Sequence, residues 1–354
     1  MNIILKRLLI AAVALSLCIV GGLEAYAALT DQSHIEETFY KIQSDKLKSN
    51  VRIVFLSDLH LSEFGERNSE LLKRVRLLAP DLILIGGDMN LRQEDDYSVV
   101  IDLCLQLKEI ADVYYALGNH EVARMLSHDR DIYYALEDTG VTMLHNVYQK
   151  VTVGDNTLLL GGVSQTGRDI DIYSNGIIEK LSDQEGFKLL LAHYPSDFDR
   201  ICQYDIDLVL SGHLHGGQIN LPYFDGLIDG DGNLFPKYTE GKFTRADTTM
   251  IVSRGLGNSH QIPRVNNAPE IVIVDIAPSV AAYNTNQLLN DYSLGSMPEL
   301  KRSEIDSVLN DDSNMLAMMH RMETENQKYI DAALTSSGDT VADAGAWLGD
   351  GATE

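Results

Sequence analysis

Between residues 50 and 278 the chain is punctuated by short apolar runs of nearly constant form. They are VRIVFLS (51–57), DLILIGG (81–87), VYYALG (113–118), NTLLLGGV (156–163), FKLLLAH (187–193), DLVLSG (207–212), TMIVSRG (249–255) and EIVIVDI (270–276). Each is a few residues long and rich in Leu, Ile or Val, and most are bounded by Gly or Asp. A run without polar alternation leaves no face for solvent, so these segments predict strands buried on both sides. Helical patterns lie between several of them. Leu71, Leu72, Val75, Leu78 and Ala79 form one helical face within 66–79, and 97–110 behaves in the same way. The alternation requires an α/β fold with its sheets at the centre. The chain has no internal repeat.

Five of the runs end on SDLH, GGDMN, LGNHE, AHYP and SGHLHGG. Each delivers Asp, Asn or His just past the apolar stretch, where ligands of α/β sheets collect. The candidates are Asp58, His60, Asp88, Asn119, His120, His193, His213 and His215, which include five of the ten histidines in the chain. Taken singly, each is an ordinary turn, cap or buried imidazole. His34, His128, His145, His260 and His320 keep that bland reading, as loop or surface residues. Five such segments in series do not. The one-residue spacing in Asp58/His60 and His213/His215 predicts that both members of each pair point the same way from an extended strand end. Glycines such as Gly212 let the backbone come close. The donors are oxygen and nitrogen with no thiolate, which suits Mn²⁺, Fe or Zn²⁺ better than Mg²⁺. Eight such side chains are too many for one ion. They fit two ions, ~3.5–4 Å apart, sharing a carboxylate and a water.

The formal net charge of -24 repels nucleic acid and anionic headgroups, so no nucleic-acid partner is expected. A phosphate-containing substrate would need local positive charge, and bound metal would supply it. At the N-terminus Lys6 and Arg7 precede an apolar stretch from Leu8 to Ala28, interrupted at Glu24. Residues 1–28 therefore read either as a membrane anchor or as a signal peptide cut after Ala25-Tyr26-Ala27. Both readings place the rest of the chain outside the cytoplasm, at the cell membrane or secreted. Residues 29–49 read as a linker and 50–278 as the catalytic domain. Cys18 lacks a lipobox setting, and Cys104 and Cys202 are expected to be free thiols. From Tyr283 onward there are 4 Lys/Arg against 13 Asp/Glu. Residues 279–354 read as an acidic tail, with an amphipathic helix over 298–329 and a disordered end that carries Trp347.

The five blocks together resemble the calcineurin-like metallophosphoesterases, whose pattern is D-x-H, G-D, G-N-H-[DE], H and G-H-x-H. GHLHGGQ, VSRGLGN and IPRVNNAPEI resemble the bacterial branch with one N-terminal membrane segment, the YkuE-like proteins. The resemblance implies a four-layer α/β/β/α sandwich and a dinuclear site. It implies that Asp58, His60 and His215 hold one divalent ion, that Asn119, His193 and His213 hold the other, and that Asp88 bridges them. It places His120 beside the leaving-group oxygen, as general acid or as a stabiliser of developing charge. Asn119 would touch both metal and phosphate. Arg254 and Arg264 are candidate phosphate contacts, with a structural ion pair as the competing reading. Glu121 either orients His120 or simply sits in the first turn of a helix. The implied activity is hydrolysis of a phosphodiester or pyrophosphate, outside the cytoplasm, on an envelope or lipid-linked phosphoester. The alternative is a non-catalytic metal- or phosphate-binding envelope protein, against which the intact His120 counts. A metallo-β-lactamase-type site would need an H-x-H-x-D-H run, which the chain lacks.

Overall fold

All eight expected runs fold as strands. The structure, a computed structural model, describes residues 3–29, 34–127, 131–164, 170, 174, 176–220, 226–229, 232–258 and 262–279. His128, His260, His320, the helix expected over 298–329 and Trp347 lie outside the described residues.

The first sheet contains β1 (Glu36–Ser44), β2 (Val51–Leu56), β3 (Leu82–Ile85), β4 (Asp112–Tyr115), β5 (Thr142–Met143) and β12 (Glu270–Pro278). Its order is β1-β12-β2-β3-β4-β5, and only the β12–β2 pairing is antiparallel. The second contains β6 (Val147–Val153), β7 (Asn156–Val163), β8 (Phe187–Ala192), β9 (Leu208–Ser211), β10 (Gly241–Arg245) and β11 (Thr248–Val252). Its order is β10-β11-β9-β8-β7-β6, with a parallel centre and an antiparallel pair at each edge.

Why the central runs are continuously apolar is visible in what covers them. Phe55 and Leu84 of the first sheet meet Leu160, Leu189 and Leu210 of the second in a layer between the sheets. On the outside of the first sheet, Leu71 and Val75 of α2 (Ser69–Leu78) and Leu103 and Leu107 of α3 (Ser98–Lys108) pack on Val54 and Ile83. α4 (Asn119–Leu126) and α5 (Asp131–Asp138) add Val122 and Leu136 to the same layer. On the outside of the second, α6 (Ile177–Ser182) and α7 (Phe198–Ile201) cover Leu190 and Val209. The result is the expected four-layer α/β/β/α sandwich, in which a central strand has apolar neighbours above and below.

Four strands carried no such signal. β1, β6 and β10 are sheet edges or lie at them, with half-exposed patterns, and β5 is two residues long. Cys104 and Cys202 are free, as expected.

The expectation of a membrane location is overturned. α1 (Ile3–Leu29) carries the apolar segment, but among the described residues no helix is long and apolar enough to cross a membrane. The membrane location expected from this segment is therefore withdrawn.

Candidate metal centre

The loops after β2, β3, β8 and β9, with the start of α4 after β4, bring the eight candidate residues to one end of the two sheets. Three overlapping groups result, in each of which one ligand atom per residue lies within 4.8 Å of the others: Asp58, His60 and His215; His60, Asp88 and His120; Asp88, His193 and His213. Within the first, His60 Nε2 and His215 Nε2 are 3.1 Å apart, and Asp58 Oδ1 is 3.9 and 3.7 Å from them. Within the third, His193 Nε2 is 3.2 Å from Asp88 Oδ2. Asp88 belongs to the second and third groups, and His60 links the second to the first.

The pairs do not converge by strand alternation. Asp58, His60, Asp88, His213 and His215 all have positive φ, between 46° and 73°. The chain turns at each of them after the strand has ended, and His215 opens a one-turn 3-10 segment. Such φ values are uncommon for residues other than glycine, though Asp and His tolerate them better than most. Close approach explains Gly212: a Cβ there would sit 2.2 Å from Asp58 Oδ2. Gly118 is held in the same way, by Asp88 Oδ1 at 2.2 Å from its would-be Cβ.

The supporting bonds cross between the sheets. The His193 Nδ1–H donates to Gly86 O at 2.8 Å, which leaves Nε2 as the ring's free lone pair. The His213 amide donates to both oxygens of Asp58, at 3.1 and 3.2 Å. Arg264 Nη2 lies 3.1 Å from His215 Nδ1, while its Nε donates to Gly257 O. Asn267 Nδ2 donates to His215 O at 2.6 Å. Arg264 is thus buried behind a candidate ligand, and burial pulls its pKa down to about 10. Arg254 is ringed by Glu36, Glu240 and Glu270 at 2.7, 3.3 and 3.4 Å, the ion-pair arrangement.

Electrostatically the two carboxylates separate. Burial pushes the Asp58 carboxyl up, with Asp88 adding to it. Burial acts the same way on Asp88, but His193, His120 and His60 outweigh it and hold that carboxyl well below its usual range. Burial would depress His193, yet Asp88 and Asp58 lift it to about 10. Without an ion, an imidazolium balances the carboxylates.

His120 differs from the others. Its side chain is 17% exposed against 2% or less for Asp58, His60, Asp88, His193 and His215. Its Nδ1 accepts the Arg92 amide N–H at 3.0 Å, and its Nε2 lies 3.8 Å from Asp88 Oδ2. An amide can only donate, so the neutral ring carries its proton on Nε2, the atom nearer the cluster. Glu121 sits in the first turn of α4, as expected, but it does more than cap. Fully buried, it accepts N–H bonds from Asp88, Met89, Asn90 and Gly118 and the hydroxyl of Tyr115. It ties the Asp88 loop to the helix that starts with Asn119 and His120. The spacing Gly118 to Glu121 is that of a capping box, the one signal for this role in the sequence. The Arg92 amide and the Gly86 carbonyl left none, because every residue but proline offers the former and all offer the latter.

These residues fit a pair of divalent ions. Asn119 Oδ1 is buried without a hydrogen-bond partner, and so is His193 Nε2, whose approach to Asp88 lacks hydrogen-bond geometry. Buried lone pairs of this kind need an acid to accept them. The N/O donor set is that of Mn²⁺, Fe or Zn²⁺.

Residues 51–217 match the sequence pattern of the calcineurin-like phosphoesterase family. Among curated proteins the chain is 29% identical to the uncharacterised metallophosphoesterase YkuE of Bacillus subtilis, over 72% of this chain and 89% of the relative. It is 28% identical to an uncharacterised metallophosphoesterase of Campylobacter jejuni, over 74% and 69%. It is 27% identical to the phosphodiesterase YaeI of Escherichia coli, over 65% and 82%. The family match and these relatives support a phosphoesterase, an enzyme that hydrolyses phosphoesters.

Proposed function

We propose that this calcineurin-like phosphoesterase cleaves phosphodiesters at a dinuclear centre built on the seam between its two sheets. Asp58, His60 and His215 hold one ion, and Asn119, His193 and His213 hold the other. Asp88 is shared. The observation that carries this reading is the position of Asp88, within ligand range of His60 on one side and of His193 and His213 on the other. When bound, two ions supply a nucleophile at neutral pH and neutralise the phosphate oxygens, a local remedy for the charge of -24.

The remaining work falls to the protein. Glu121 fixes the loop that carries Asp88, and the Gly86 carbonyl orients His193. His120, half-buried rather than buried, presents Nε2–H to the leaving oxygen. The Arg92 amide occupies Nδ1, so His120 acts through Nε2–H as a hydrogen-bond donor that stabilises charge on the departing oxygen. Arg264 acts through the His215 ring and main-chain carbonyls, and Arg254 through its three glutamates. The catalytic domain in this reading ends at residue 278, but its start moves from 50 back to β1 (Glu36–Ser44), which pairs with β12 and so is no linker.

The test is hydrolysis of bis-p-nitrophenyl phosphate beside p-nitrophenyl phosphate by the full chain, with Mn²⁺ and with EDTA. Metal-dependent turnover of the diester that falls in His120→Ala, with metal content unchanged, is the expected result. Two ions bound without turnover of either ester would overturn the catalytic reading, and a chain that binds no metal would overturn the centre itself.

A further inference from the structure

Beside the third ligand group, Asp88, His193 and His213, lies a cleft of about 250 Å³. His213 and Tyr194 form one end of it, with their rings 4.2 Å apart. Tyr238 and two prolines, Pro195 and Pro236, give it flat apolar walls. Its polar groups are unevenly charged. Asp199 and Asp229 line it with one cation, Lys237, and Asp199 also pairs with Arg245, which is not part of the lining. That ammonium is already engaged, 2.9 Å from Asp199 Oδ2 and 4.2 Å from the centre of the Tyr238 ring. The Asp229 carboxylate is buried and accepts the Asn233 main-chain and side-chain N–H groups at 2.8 Å.

Two carboxylates and one paired lysine make a poor site for a second phosphate. Tyrosine and proline faces suit an uncharged ring instead, whose polar edge can meet the Ser196 and Asn233 groups that also line the cleft. The cleft also belongs to a different ligand group from the leaving oxygen. His120 packs its ring on His60, with 4.8 Å between centroids, whereas the cleft abuts His213. We infer that this cleft holds the retained arm of the phosphodiester, an uncharged ring-sized group with hydrogen-bonding edges. The inference rests on the phosphodiesterase reading and sharpens it: a monoester leaves the cleft empty, and a pyrophosphate would bring a charge the cleft rejects.

Binding of diphenyl phosphate and dimethyl phosphate to the metal-loaded full chain, measured by calorimetry, tests this apart from turnover. Diphenyl phosphate is expected to bind at least ~10-fold more tightly, the effect of seating one phenyl ring. Tyr238→Ala removes a wall, and Ser196→Trp fills the cleft from an exposed position, so misfolding of one variant does not decide the matter. In both the preference is expected to shrink to within ~2-fold. Lys73→Ala, on the solvent side of α2, leaves it intact. The ratio of kcat/KM for phenyl and methyl p-nitrophenyl phosphates is expected to move in parallel. A preference unchanged in both cleft variants, or p-nitrophenyl phosphate hydrolysed better than either diester, would overturn the cleft and leave the phosphoesterase standing. Loaded protein that neither binds nor hydrolyses any of these esters would overturn both.

Discussion

The two sheets contribute unequally to the centre. Every candidate oxygen ligand, Asp58, Asp88 and Asn119, follows a strand of the first sheet, together with His60 and His120. The second sheet supplies imidazoles alone, His193, His213 and His215. Each outer ligand group therefore draws from both, and neither sheet carries a complete one. The first sheet brings the negative charge that attracts cations and the donor for the leaving oxygen. The second brings neutral lone pairs that complete the coordination without adding charge. The bonds that orient the ligands cross the same seam, from His193 to Gly86 and from the His213 amide to Asp58.

That division can be broken one side at a time. The largest effect is expected from Asp88→Ala, which removes the oxygen donor common to both ion sites. Turnover should fall below detection and metal content below one ion per chain, measured by elemental analysis. His120→Ala should lower kcat by ~10²–10⁴-fold at full metal content, because its side chain donates to the substrate. On the second sheet's side, Arg264→Ala should weaken only the first ion, by ~10–100-fold, as expected for the partner of a ligand. Retention of the second ion at wild-type affinity is the sharper readout, because a general loss of structure would weaken both.

A smaller effect follows from His193. Its pKa of about 10 in the ion-free protein means that the ring is protonated at neutral pH. Ion binding to the third group must displace that proton. Affinity should therefore rise with pH, by up to ~10-fold per unit while the ring remains protonated, and level off above about 10. Calorimetry in two buffers of different ionisation heat should register the proton released. If affinity does not change with pH, the second ion does not use His193. Smallest, and shared by both sheets, is the gain in stability. At an ion concentration ~100 times Kd, binding adds about 2.7 kcal/mol to unfolding, which a thermal melt with and without EDTA would detect.

How much of this could be read from residues alone depended on burial. β3 is apolar at every position and β9 at all but its last, Ser211, because helices and the opposite sheet cover both faces, so four-residue strands announced themselves. β1 and β10 lie at the edges, half in solvent, and their sequences EETFYKIQS and GKFTR look like loop. The candidate ligands were equally visible, since their side chains carry the chemistry and each follows a legible strand. The geometry that unites them was not. Asp58 and His60 meet through two left-handed turns, a backbone choice that the spacing D-x-H does not encode. α1 misled differently: its apolar composition advertises a span, yet among the described residues no helix is long and apolar enough to cross a membrane.

The Arg92 amide on His120 has a consequence for how this chain tolerates change. The tautomer of the residue nearest the leaving group is fixed by main chain, so nineteen of the twenty amino acids at position 92 would preserve it. Only proline, which has no N–H, would erase it. The proton's position is thus insulated from mutation drift in the loop that sets it, and Arg92→Pro is the one single-residue substitution there that would release the imidazole to choose its own tautomer.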